Sequence, residues 1–149
     1  MTIINKNLDG KLTKIKQIKE NDKNIYKYPT ELLIKIEKNY EKQEFHKVIE
    51  NIWKLISEAN KYVDESAPWQ LIKTDRERAG DVLNILVVVI AKIAIFLTPI
   101  MPNTSENILN KIGLSIKNLS MEDISADNFL NIDHKIKKPE IIFNKIDNE

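Results

Sequence analysis

The chain has 149 residues, of which 42% are hydrophobic and 30% charged, the balance of a folded domain that can bury one core. It contains no cysteine, which excludes disulfides, thiolate zinc sites and cysteine nucleophiles and suits a cytoplasmic location. Its net charge of +1 excludes a strong overall attraction for nucleic acid.

The first residues carry Ile3, Ile4 and Leu8 at helical spacing but reach Asp9-Gly10 almost at once, so a partial helix is predicted. Residues 9–29 are lysine-rich and poorly periodic, and together with the partial helix they form a predicted connection over 1–28. Seven lysines fall between Lys6 and Lys27, against Asp9, Glu20 and Asp22. These lysines, among them Lys6 and Lys11, either form a solvated surface or meet phosphate. Pro29-Thr30 is then expected to open a helix through about Tyr40, the start of a bundle core over 29–114.

The next helix is the clearest. Phe45, Val48, Ile49, Ile52, Ile56, Ala59 and Val63 follow the three-four alternation of one buried face, which predicts a helix from about Glu44 to Glu65. Trp53, Leu55 and Tyr62 widen the apolar surface, and Trp53 is read as a core residue. The helix runs into Pro68, whose ring disfavours helical geometry at Ala67, so Trp69 is held at a helix corner. Its indole there is either a plug between helices or a platform for stacking.

Gln70–Lys73 is expected to form a short turn, and Thr74-Asp-Arg-Glu77 reads as a capping box with Thr74 as the cap. Val82–Leu97 is apolar almost all round, broken by Asn84 and Lys92, as in the central helix of a bundle. At 16 residues ending in Thr98-Pro99, it is shorter than the ~20 apolar residues that a membrane span needs. Asn103 or Thr104 can cap a last helix that ends before Gly113. Beyond Ser115 the periodicity fades, yet Phe129, Leu130, Ile136 and Ile141-Ile142-Phe143 are too apolar for a free tail. The expected fold is an all-α antiparallel helix bundle with an irregular C-terminal strap over 115–149.

No catalytic constellation is visible. His46 and His134 lie far apart, no glycine-rich phosphate loop occurs, and the acidic pairs Asp64/Glu65 and Glu122/Asp123 are sequence neighbours that point different ways on a helix. Binding is the expected task, with no cofactor and no metal in this chain.

The string W-K-L-I-S-E-A-N-K-Y-V-D-E-S-A-P-W from Trp53 to Trp69 resembles the anticodon-binding helix bundle of methionyl-tRNA synthetases. Ile4-Asn-Lys-Asn-Leu-Asp-Gly10 is similar to the family's I-N-K-R-F-D-G step, and Leu97-Thr-Pro-Ile-Met-Pro102 to its L-x-P-[FI]-[ML]-P turn. The stretch from His134 to Phe143 resembles its closing H-x-I-x-x-P-x-x-[LI]-F segment. The matches cover residues 4 to 147 in order.

The resemblance implies that Trp69 stacks on a base of the CAU anticodon loop of tRNA(Met) and that Pro68 places it; Asn60 is a weaker candidate for the anticodon pocket, with helix packing or polar support as its other reading. Tyr62 is expected to give polar support. From their charge alone, Lys6, Lys11, Arg76 and Arg78 are the candidate phosphate contacts. The family's HIGH and KMSKS signatures do not occur, so the resemblance implies a domain cut from a larger enzyme. ATP and Mg would then act in the parent's catalytic domain, a further expected partner, and this piece alone would form no methionyl-adenylate. The competing readings are a helical protein-interaction module and the corresponding bundle of an isoleucyl-, valyl- or leucyl-tRNA synthetase.

Overall fold

The computed structural model describes residues 2–12, 14–126 and 134–137. The expectations for Phe129, Leu130 and the 141–143 cluster lie outside the described residues. Along the chain come α1 (Thr2–Asn7), β1 (Lys11–Leu12), α2 (Glu20–Glu41), α3 (Phe45–Ser66), α4 (Pro68–Thr74), α5 (Arg76–Leu97) and α6 (Pro102–Lys111). Two 3-10 turns, Ile116–Asn118 and Met121–Ser125, and the strand β2 (His134–Lys135) follow. The fold is an all-α bundle, its only extended pairing among the described residues being the two-residue antiparallel ladder of β1 with β2.

Helix α5 is the axis of the fold. One side of it, with Val82, Ile85, Val89 and Phe96, packs on Leu32 and Ile36 of α2 and Val48, Ile52 and Leu55 of α3. Its other side, with Leu83, Val87, Ala91 and Ala94, packs on Ile4, Leu109, Ile112 and Ile136. A helix that serves two cores must be apolar all round, which is why its sequence shows no polar stripe. It is long and apolar enough to cross a membrane, but 89% of its most apolar window is buried inside the bundle.

Helix α2 begins nine residues before the predicted start at Pro29, and Pro29 lies inside it. The missing amide of an interior proline costs a helix about 3 kcal/mol. Long-range partners offset this: Asp22, Ile25, Pro29, Leu32 and Ile36 form one buried stripe at three-four spacing. A charged residue at the head of that stripe hid it from a purely hydrophobic reading.

The buried face of α3 is also rotated from the predicted one. Val48, Ile52, Leu55, Ala59 and Tyr62 are inside, whereas Phe45, Ile49 and Trp53 are 54%, 41% and 63% exposed. Trp53 is therefore not a core residue. It lies about 100° round the helix from Ile52, on the side away from the Leu55–Tyr62 edge that meets α2 and α5.

Two caps differ by a residue or two from expectation. Asp75, not Thr74, caps α5, its carboxylate accepting from the Arg78 amide at 3.0 Å. Thr74 instead closes α4, donating to the Gln70 carbonyl at 3.3 Å. Helix α6 starts at Pro102 with Met101 before it, and no side chain caps it. Gly113 follows that helix with φ +78°, and the Leu114 amide returns to the Leu109 carbonyl at 2.9 Å, the bond that a left-handed residue permits.

Candidate functional site

The corner at Trp69 is built by one unusual residue. Ala67 has φ +40° and ψ +59°, and it ends α3 and begins α4 at once. Its amide donates to the Val63 carbonyl at 3.0 Å, and its carbonyl accepts from Gln70 and Leu71 at 2.8 and 3.2 Å. Left-handed geometry at a residue with a Cβ is strained, so the surroundings must hold it. Pro68 is buried at the first position of α4, where its lack of an amide proton costs nothing. Trp69, next in line, is 44% exposed. The indole is thus part seated and part open on a short helix that α5 supports from below.

Three helix ends are locked together at this end of the bundle. Asp22, in the first turn of α2, is fully buried. Arg78 of α5 grips it with both terminal nitrogens, at 2.7 and 2.6 Å, and the Tyr62 hydroxyl of α3 donates to it at 2.7 Å. The Lys19 amide adds a fourth bond at 2.7 Å. Tyr62 lies five residues before Ala67, so this lock steadies the last turn of α3 that leads into the corner.

Burial opposes the charge on Asp22, yet the bonds from Arg78, Tyr62 and Lys19 outweigh it and hold the carboxyl below its ordinary value of 3.8. Burial, with the bond to Asp22 second, pushes the Tyr62 phenol well above its usual range. The bond to Asp22 raises Arg78 as well. A carboxylate with a lowered folded pKa contributes stability that is fully present above its unfolded pKa and lost as pH falls through the folded one. The stability advantage of the native chain over Asp22→Asn should therefore be constant from neutral pH to about pH 4 and shrink below it. Urea unfolding of both proteins across that range checks this, and an advantage that grew on acidification would refute it.

The residues proposed for phosphate contact fall into two groups. Arg78 is directed inward onto Asp22 and offers little to an outside ligand, so its expected role is corrected to that of a structural clamp. Arg76 is exposed, and one of its nitrogens donates to the Asn7 carbonyl, tying α1 to the start of α5. Lys6 and Lys11 are exposed, and Lys11 stands directly opposite Lys135 in the ladder. Like charges facing across strands repel, and an anion placed between them relieves that repulsion. Lys16 is engaged with Glu77 at 2.6 Å, while the Lys16 and Gln17 amides bond Asp81 at 2.8 and 3.2 Å. Part of the lysine-rich segment is therefore pinned along α5 rather than free.

Asn60 is exposed on α3, within the last two turns before the corner, whereas Tyr62 is buried in the lock. Sequence reasoning missed Asp22 as a site-building residue. Its only signal was its place at the head of the stripe that continues through Ile25 and Pro29. Among the described residues no three His, Cys, Asp or Glu side chains gather as a metal would require.

A family model described as the anticodon binding domain of methionyl tRNA ligase matches residues 13–149. The methionine–tRNA ligase of Caldanaerobacter subterraneus is 34% identical over 151 residues, covering all of this chain and 24% of that protein. The methionine–tRNA ligase of Fusobacterium nucleatum is 38% identical over 110 residues, covering 71% of this chain and 17% of its own length. The chain thus spans about a quarter or less of these curated relatives. The apo structure of Mycobacterium tuberculosis methionyl-tRNA synthetase superposes with a TM-score of 0.92 at 24% identity, over 99% of this chain and 30% of that one.

Proposed function

The chain belongs to the anticodon-binding domain family of methionyl tRNA ligases, and from that premise we propose that it reads the CAU anticodon loop of tRNA(Met). The observation that carries this reading is the half-open indole of Trp69, held on a braced corner where three helices end. Loop bases are unstacked and are recognised by stacking on aromatic faces and by contacts to their edges. A platform already fixed by Pro68 loses little freedom when a base settles on it. Asn60 offers a side-chain amide on the approach to the corner.

Lys6, Lys11 and Arg76 meet the phosphates of the stem in this reading. Such contacts position the RNA without selecting its sequence. Arg78 takes no part except by holding Asp22. No step is assigned to ATP or Mg on these residues: activation of methionine and its transfer belong to the remaining portion of a longer ligase, and this chain by itself forms no methionyl-adenylate.

The test is a titration of the chain with a CAU anticodon stem-loop and with the same stem bearing a changed anticodon, repeated over a range of salt. The CAU loop should bind more tightly, and both affinities should fall as salt rises. Lys6→Ala with Lys11→Ala should weaken both loops alike and flatten the logarithmic salt slope by roughly 0.7–0.9 for each phosphate no longer neutralised. Equal affinity for the two loops would remove anticodon reading.

A further inference from the structure

Outside the Trp69 corner, the feature that the anticodon reading leaves unused is a stripe on α3. Phe45, Ile49 and Trp53 are spaced four residues apart, so they line one side of the helix, and all three are substantially exposed. Three large apolar side chains in a row are more than the scattered surface apolars of an ordinary domain.

The stripe is held in shape. Phe45 meets the Tyr40 ring edge-on at 6.0 Å between centroids. The turn beneath it is cross-braced: the Asn39 side-chain amide donates to Glu44 at 3.0 Å, and the Asn51 amide donates to Asn39 at 3.1 Å. The Glu44 amide also bonds the Asn39 carbonyl at 2.8 Å. The stripe is therefore a preformed face.

Its borders identify the kind of partner. Next round the helix on the solvent side stand His46, Glu50 and Lys54, where the charges of Glu50 and Lys54 cancel. That border has no excess of cations to neutralise phosphate, so the face suits protein rather than RNA. Its area identifies the partner more closely. Aromatic residues bury ~150–250 Å² each when fully covered, so the open halves of Phe45 and Trp53, with the smaller Ile49 between them, offer roughly 300 Å². A stable complex between free partners takes about 800 Å² from each, and a second copy of this chain would fall short. Contacts between domains of one chain can be as small as about 600 Å² in total, because the covalent tether supplies an effective concentration in the millimolar range.

We propose that the Phe45–Ile49–Trp53 face of α3 is the seat of another domain of the same, longer polypeptide. This rests on the reading of the chain as one portion of a ligase of which it spans about a quarter. The seated surface is apolar at its centre, and docking through α3 would set the direction in which the Trp69 corner faces.

Hydroxyl-radical footprinting of the full-length polypeptide, with the isolated 149-residue chain as reference, tests this. Oxidation of Phe45 and Trp53 should fall about threefold or more in the longer protein, as residues at the centre of an interface lose solvent, while Trp69 stays unchanged. Ile49→Glu with Trp53→Glu should leave the melting temperature of the isolated chain unaltered and return Phe45 oxidation in the full-length protein to the isolated value. Unchanged oxidation in a full-length protein that still methionylates tRNA would overturn the seat while leaving anticodon reading intact. Protection that grows with the concentration of the isolated chain would overturn it in favour of self-association. A gene that encodes no further domain would overturn it as well.

Discussion

Arg78→Met is expected to cost the fold about 3–5 kcal/mol, the loss typical when one partner of a buried ion pair is removed. The carboxylate of Asp22 is closed off from solvent, and two of its four hydrogen bonds come from Arg78. Without them a buried charge keeps only the Tyr62 hydroxyl and the Lys19 amide. For a domain of this size each kcal/mol lowers the melting temperature by roughly 2–4 °C, so a fall on the order of 10 °C should appear in a thermal scan. Asp22→Asn in the Arg78→Met background should recover much of the loss, because the uncompensated charge goes with it. A single variant within about 1 kcal/mol of the native chain, the size of an exposed pair, would show that Asp22 finds other compensation. The variant should also bind the CAU stem-loop less well, since Tyr62 and the last turn of α3 support the Trp69 corner.

Trp69→Ala is expected to weaken binding of the CAU stem-loop by ~1–3 kcal/mol, or about 5- to 150-fold, the contribution of one base stacked on an aromatic ring. The loss should be smaller for a stem-loop with a changed anticodon, and Trp69→Phe should keep part of the affinity. Folding stability should change far less than on removal of Arg78, because the indole is only partly covered. Trp53→Ala is the control: it removes an equally large and more exposed indole and should leave stem-loop binding unaltered. Equal losses on both loops, or a loss from Trp53→Ala as large as that from Trp69→Ala, would dismiss Trp69 as a specific stacking platform. Isothermal titration calorimetry with the two stem-loops measures each case.

Most of the architecture was legible in the sequence. The apolar run of α5, the three-four pattern of α3, the breaks at Pro68 and Pro99, and Gly113 each carry a local physical signal that the fold obeys. The failures came where a signal was not local. Residues 20–28 lack strong periodicity because the residue that anchors them is an aspartate, and its worth depends on Arg78, 56 positions away. Pro29 read as a start because an interior proline is costly, and only burial among distant partners makes it tolerable. The arc of α3 was misplaced because its apolar residues cover more of the helix than the bundle uses. Hydrophobic pattern alone could not tell the arc facing α2 and α5 from the one facing outward. Of the candidate site, Pro68 and Trp69 were visible because a proline followed by a tryptophan at a helix end has few readings. Arg78 was misassigned because a cation's partner cannot be read from its neighbours in sequence.

The ladder of β1 and β2 has a consequence for how the molecule is made. The Ile136 amide bonds the Gly10 carbonyl at 2.7 Å, and Asn5 bonds the Lys137 carbonyl at 3.1 Å across 132 positions of chain. Gly10 fits there because, at φ +70°, a Cβ would stand 3.0 Å from the Ile136 carbonyl oxygen. The hairpin of α2 and α3 can close as soon as both helices have left the ribosome. The seat of Ile4 is completed much later, since Ile136, which forms part of its lining, lies well over a hundred positions further along the chain. Until Ile136 arrives, Ile4 and the α1 turn around it have only the partial cover that α5 and α6 provide.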